Sequence, residues 1–280
     1  MARTLFVLCC CSVAGVAGPA FAAAPEEAAV AVLVTQRYPN PVRPWTSGSA
    51  VESMGTGVVI EGRRILTAAH VVLYATQVQV QARPGERKYE AKVAAIAPEM
   101  DLAILTIDDD EFFEKRSPLP RMKELPKVQD SVTVYGFPIG GNGLSVTDGV
   151  VSRIDFGNYF HHGAGLTIQI SAPVNPGNSG GPAVVDGKLA GIVFSQLTEG
   201  QNIGYVIPNE EIDIFLADVA DGAYDGKPVD GSGTRYQTLE NLGPLLRGGP
   251  MPATRTSSSD SSAEVRNCSP AACNGRRSMR

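Results

Sequence analysis

Residues 175–182 hold the strongest chemical signal in the chain: Asn175, Pro176, Gly177, Asn178, Ser179, Gly180, Gly181 and Pro182. A serine hydroxyl is a poor nucleophile until a base takes its proton and donors meet the oxyanion formed on attack. Glycines on both sides of Ser179 let the backbone turn tightly and let a carbonyl approach. The amides of Gly177 and Ser179 can then converge as an oxyanion hole. The same octapeptide could also be an ordinary surface loop, so the other members of a catalytic set have to be found.

The chain has three histidines. His70 ends the run Ile65, Leu66, Thr67, Ala68, Ala69, in which a strand feeds a turn of small residues. His161 and His162 lie between Tyr159 and Gly163 and read as a solvated loop pair. The acid that orients an imidazole has to be buried for a reason. Asp101 precedes Leu102, Ala103, Ile104 and Leu105 and so enters an apolar strand, where an unpaired charge is costly. Asp108, Asp109 and Asp110 read instead as a solvated run. Ser179 as nucleophile, His70 as base and Asp101 as orienter are therefore the expected catalytic set. No His-Glu-x-x-His pattern occurs and residues 30–226 contain no cysteine, so the reading includes no metal and no cofactor.

The elements that must position these groups are short. The 280 residues are 43% hydrophobic and only 19% charged, with 30 glycines and 20 prolines, which points to a globular, turn-rich, all-β chain. Val58 to Ile60 and Ile65 to Thr67 read as a hairpin about Glu61 and Gly62. Further strand patterns recur up to Phe194, with Asp186 and Gly187 as a tight turn. Charged and proline-rich residues from Asp108 to Lys127 divide two β units. Ile212, Phe215, Leu216 and Val219 then stand on one helical face, with Asn209 as the expected cap and Gly222 as the stop. The net charge of −5, with no basic stripe before the extreme C-terminus, argues against nucleic acid as a partner.

Residues 1–24 read as a signal peptide: Arg3, an apolar run from Leu5 to Ala17, then Ala20, Phe21 and Ala22 as a cleavage pattern. The expected location is periplasmic or secreted, without stable membrane insertion after cleavage. Cys9, Cys10 and Cys11 would leave with that segment. Cys268 and Cys273 could close only a small loop in the tail.

Several blocks occur in one order: Gly55, Thr56, Gly57; Leu66 to Val72; Asp101 to Leu105; Asn175 to Pro182; and Gly204, Tyr205, Val206, Ile207, Pro208. Across residues 53–220 the chain thereby resembles the Deg/HtrA family of serine proteases. The resemblance implies a chymotrypsin-like double β-barrel, six strands each, with the active site in the cleft between them. It implies a serine endopeptidase acting on unfolded or damaged polypeptides in the cell envelope. It assigns the triad to His70, Asp101 and Ser179, and it is compatible with a homotrimer built through the protease domains.

The expected layout is an N-terminal segment over 25–52 and a protease domain over 53–225. Within that domain the first barrel covers about 53–125, the second about 126–208 and a C-terminal helix 209–221. Family members commonly continue into PDZ domains; here residues 226–247 resemble only the opening of one. Residues 248–280 are rich in Ser, Pro, Gly and Arg and read as a disordered tail. Asn178 is neutral where digestive proteases of this fold carry an aspartate that receives a newly cut N-terminus. Control by loop ordering around residues 138–144 and 196–202 is therefore expected in place of zymogen cleavage. Ser171, Ala172, Pro173 and Val174 approach the nucleophile without a carboxylate, which predicts small or medium apolar side chains before the scissile bond. Ile192, Val193, Phe194 and Ser195 form the expected edge for the substrate backbone. Two rival readings are a non-catalytic holdase using the same β cleft and an esterase. The esterase lacks the strand-turn-helix setting of its nucleophile, since Pro182 and a strand follow.

Overall fold

The computed structural model describes residues 24–43, 45–141, 143–159, 163–194, 203–222 and 224–226. All of them fall in one compact unit, residues 1–238. The signal segment, Ser195, His161, His162 and residues 227–280 lie outside the described residues.

Twelve strands close into two barrels of six. The first barrel comprises β1 (Ala29–Gln36), β2 (Val51–Ile60), β3 (Arg64–Ala68), β4 (Ala75–Gln81), β5 (Lys88–Ala97) and β6 (Leu102–Thr106), in the order β1-β2-β3-β6-β5-β4. The second comprises β7 (Ser131–Gly136), β8 (Ser145–Asn158), β9 (Ala164–Ile170), β10 (Pro182–Val185), β11 (Lys188–Phe194) and β12 (Gly204–Pro208), in the order β10-β11-β12-β9-β8-β7. Closure leaves no unpaired sheet edge within either barrel. Two predicted hairpins are present. Ile60 pairs with Arg64 across the β2–β3 turn, and Val185 pairs with Lys188 around Asp186 and Gly187. Both turn residues of the second hairpin have positive φ, 49° and 72°, as a two-residue turn between right-twisted strands requires.

The predicted N-terminal boundary needs correction. Residues 25–52 are not a segment outside the barrel: β1 lies within them and pairs with β2 on one side and β4 on the other, so the first barrel cannot close without it. Its Ala-Val-Ala-Val-Leu-Val run is buried almost throughout, as a strand covered on both faces reads.

Each barrel has its own apolar filling. Val32, Ile65, Val80, Leu105 and Phe112 pack in the first; Val132, Val134, Ile168, Ile170 and Val193 pack in the second. A third cluster joins the barrels, including Leu66, Leu102, Leu119, Tyr135, Leu189 and Phe194. The connector is stitched to both sides: Leu119 N donates to Val59 O at 3.0 Å, and Met122 N donates to Leu189 O at 2.9 Å. This shared apolar layer fixes the facing walls of the cleft.

Among the described residues the α-helices are four and short: α1 (Pro25–Ala28), α2 (Ala69–Val72), α3 (Glu111–Glu114) and α4 (Asn209–Asp218). The predicted stripe of α4 docks on the second barrel, with Ile212 and Phe215 fully buried against it and Leu216 and Val219 partly so. A fully buried phenylalanine contributes about 2–3 kcal/mol, enough to hold a ten-residue helix that would not persist alone. Asn209 does not cap this helix; it is its first residue. Its Nδ2 is turned inward, donating to Leu189 O at 2.6 Å and Met122 O at 3.1 Å. The side chain is thereby spent on the contact between the connector and the second barrel and not on the helix end. No helix among the described residues is long and apolar enough to cross a membrane.

Candidate active site

His70 stands in α2, the single turn that follows β3. Ala68 and Ala69 are fully buried, and their small side chains let this turn pack against the loop before β6. Ala69 N donates to Asp101 O at 3.0 Å. Gln36, on β1, closes the far end: its Nε2 faces the carbonyls of His70, Val71 and Leu73 at 3.3, 3.1 and 3.0 Å. Those are the acceptors a one-turn helix leaves unpaired. Gln36 is a site residue that the sequence did not single out, because a polar residue closing an apolar strand carries no distinctive pattern.

Asp101 is fully buried and sits at φ +53°, a left-handed conformation that a short polar residue tolerates better than most. Its carboxylate makes three contacts with His70, one of them Oδ1 to Nδ1 at 3.0 Å. Oδ1 accepts from the His70 backbone N–H at 2.8 Å, and Oδ2 lies 2.8 Å from Nδ1. An ionised carboxylate only accepts, so Nδ1 carries the ring proton and Nε2 is the basic nitrogen. The His70 side chain keeps 23% exposure while Asp101 has none, so one face of the imidazole remains accessible. By contrast, Asp108, Asp109 and Asp110 make exposed surface pairs with Lys92, Arg87 and Arg63.

Ser179 is 5% exposed and lies in the turn before β10. Its carbonyl accepts from Thr56 N at 2.8 Å. Gly180 N donates to Val193 O at 2.7 Å, and Val193 N donates to Gly181 O at 2.9 Å. Gly180 has φ +84°, and a Cβ there would fall 2.1 Å from Thr56 O, 2.3 Å from Thr67 Oγ1 and 2.9 Å from Ala68 N. Only glycine lets the serine turn press this closely on the strand end that leads to His70. The turn from the second barrel is thereby seated on the first.

Gly177 has φ +99°, with Phe137 O only 2.4 Å from where a Cβ would stand. Pro176 O accepts from Ile139 N at 2.9 Å. A trans peptide directs C=O and N–H to opposite sides, so the Gly177 N–H points away from Ile139. Asn178 is 1% exposed, and its Oδ1, pressed on Gly136, has no hydrogen-bond partner.

The expected substrate edge divides. Ile192 pairs with Pro182 and Ile207, and the backbone of Val193 is taken by Gly180 and Gly181, so neither has a free edge to offer a peptide. Phe194 ends β11, pairs with Tyr205 and is fully buried; Ser195 lies outside the described residues. Behind Phe194, Tyr159 packs edge-on at 5.5 Å and donates its hydroxyl to Leu166 O at 2.5 Å. Burial pushes the Tyr159 phenol well above its usual range. Burial also raises the pKa of Glu211, against the opposing pull of the Leu166 N–H that its Oε1 accepts at 2.7 Å.

Comparison with known proteins finds relatives of this chain. Residues 55–192 match the trypsin-like peptidase domain. The chain is 44% identical over 215 residues to protease Do-like 4, mitochondrial, of Arabidopsis thaliana, covering 76% of this chain and 41% of that protein. It is 36% identical over 168 residues to the putative protease Do-like 6, chloroplastic, of the same plant, covering 60% of this chain and 73% of that one. Among solved structures, the HtrA-type protease AlgW with tripeptide superposes with a TM-score of 0.57 at 30% identity, over 71% of this chain and 62% of that chain. This chain spans well under half the length of several of the curated relatives, Do-like 4 among them.

Proposed function

Because this chain belongs to the Deg/HtrA, or Do-like, family of trypsin-like serine proteases, we propose that it is a serine endopeptidase with Ser179, His70 and Asp101 as its catalytic groups. The observation that carries the reading is the buried Asp101 carboxylate on His70 Nδ1, beside a glycine-lined serine turn bonded across the barrels through Thr56. On attack, Ser179 Oγ bonds the scissile carbonyl carbon and passes its proton to His70 Nε2. Asp101 holds the tautomer and stabilises the imidazolium without taking the proton. The carbonyl oxygen becomes an oxyanion facing the Gly177 and Ser179 amides. His70 returns the proton to the leaving amine, and water then cleaves the acyl-serine by the same steps in reverse order.

The substrate in this proposal is an unfolded polypeptide met after export through the N-terminal segment. Its backbone would add as an extended strand beside the second barrel, away from Ile192 and Val193, which are already paired. An apolar side chain before the scissile bond suits Ala172, Val174 and Gly204, which meet near the turn without a carboxylate. Control by loop ordering suits Asn178, because a carboxylate in its place would be buried with no cation provided. A homotrimer remains part of the proposal, with Val42 and Trp45, 82% and 80% exposed, as apolar surface to cover.

The test is casein digestion by the wild type and by Ser179→Ala, with a short-ester assay alongside. Cleavage by the wild type, lost in the variant, is the expected result. Equal retention of casein without cleavage by both proteins would favour a holdase, and ester turnover without peptide cleavage would favour an esterase.

A further inference from the structure

We infer that Thr56 is a positioning residue for the oxyanion hole, an inference that rests on the protease reading above. Thr56 belongs to the first barrel yet is bonded to both residues whose amides would form the hole. Its Oγ1 donates to Gly177 O at 2.7 Å, and its backbone N donates to Ser179 O at 2.8 Å. The same Oγ1 accepts from Phe137 N at 2.9 Å, and Thr56 O accepts from Thr67 Oγ1 at 2.7 Å. The residue is fully buried.

The physical need for such a clamp lies in Gly177. At φ +99° the glycine has no Cβ to restrict it, so nothing intrinsic to residue 177 keeps its amide aimed at the developing charge. Besides the bond within the turn from Asn178 N to Asn175 O at 3.0 Å, two bonds from outside the turn supply that restriction. Ile139 N holds the peptide before Gly177 through Pro176 O, and Thr56 Oγ1 holds the peptide after it. Both lead to one loop, because Phe137 N donates to the same hydroxyl. Thr56 thus makes the order of the loop beginning at Phe137 and the aim of Gly177 a single event. A hydroxyl suits the task because it donates and accepts from one atom in a space closed to water.

Thr56→Val keeps the shape and removes both functions of the oxygen; Thr56→Ser keeps the oxygen and removes a methyl group. Two readouts separate positioning from structural support: the kcat and KM of a peptide amide, and the affinity of a peptide boronic acid whose serine adduct places an oxygen in the hole. Loss of a whole oxyanion donor costs about 100- to 1,000-fold in kcat, so a displaced donor in Thr56→Val should cost about 10- to 100-fold. KM should stay within about threefold, the boronic acid should weaken in proportion to kcat, and binding of the uncleavable product peptide should not change. Thr56→Ser should recover most of kcat. If Thr56→Val does not fold, Thr56→Cys, with its weak donor, takes its place, and the expected order is Thr, then Ser, then Cys.

A folded Thr56→Val or Thr56→Cys enzyme with kcat within threefold of wild type overturns the inference, as does a serine variant no better than either. An unchanged boronic acid affinity alongside a lower kcat overturns it too. In each of these cases an active wild type leaves the protease reading standing. A wild type no more active than Ser179→Ala removes both.

Discussion

Exchanging Asp101 for asparagine alters the site by one charge and one hydrogen-bond polarity while keeping its shape. The asparagine can hold the left-handed backbone at φ +53°, so the turn before β6 should survive. Its Oδ1 can keep the bond to the His70 backbone N–H, which the carboxylate holds at 2.8 Å. The amide NH2 then faces Nδ1 where Oδ2 stood at 2.8 Å. Nδ1 must accept, the ring proton moves to Nε2, and His70 presents the wrong nitrogen to Ser179. Two costs follow. A charge-assisted bond to the imidazolium is exchanged for a neutral one, about 1–2 kcal/mol, and restoring the basic tautomer sets two donors against each other, about 2–3 kcal/mol. At about 1.4 kcal/mol per tenfold, the sum predicts a loss of roughly 100- to 10,000-fold in kcat, with KM changed by less than about threefold. The assay is single-turnover cleavage of a peptide amide near neutral pH, with a thermal melt to show an intact fold. A folded Asp101→Asn enzyme that keeps more than a tenth of wild-type kcat, or loses its activity through KM alone, would refute the reasoning.

Two further predictions follow from the surroundings of the site. Gly163→Ala would put a Cβ 1.5 Å from Glu99 O, two residues before Asp101, and backbone cannot swing aside as a side-chain tip can. Overpacking of this kind costs about 1–3 kcal/mol, so the melting temperature should fall, and displacement of the Asp101 turn should lower kcat at least tenfold at temperatures where the variant stays folded. Glu211 has a folded pKa raised above its ordinary value of 4.5, chiefly by burial. The folded state therefore binds this proton more tightly than the unfolded chain, and stability declines as pH rises from the unfolded pKa through the folded one. Glu211→Gln should remove that decline, so its melting temperature relative to wild type should rise from pH 4 upward, which thermal melts across pH 4 to 8 will detect.

The part of the fold readable from sequence was the part written in short-range pattern. The Asp186–Gly187 hairpin, the β2–β3 hairpin and the α4 stripe each need only neighbouring residues to be recognised. Asp101 was readable as His70's partner by elimination, because a carboxylate at the head of an apolar strand has to be compensated somewhere. Where a residue's role depended on distant backbone, local pattern misled. Asn209 has the chemistry of a cap, yet it serves two carbonyls, on the connector and on β11. β1 looked like a leader to the domain because its two partner strands lie up to about fifty residues away.

The sequence by itself determined which groups are candidates for the chemistry: Ser179 in a glycine-rich octapeptide, His70 after small residues, Asp101 at the head of an apolar strand, and no cysteine over residues 30–226. Tertiary structure alone decided how those groups are held. Gln36 reaches the end of the His70 turn from β1, and Thr56 reaches Gly177 across 121 positions of chain. The backbone of Val193 is spent on Gly180 and Gly181, a pairing that no local pattern announces. Side-chain chemistry belongs to a residue and travels with its name. The carbonyl or amide a buried polar atom must satisfy exists only once two barrels have closed and met.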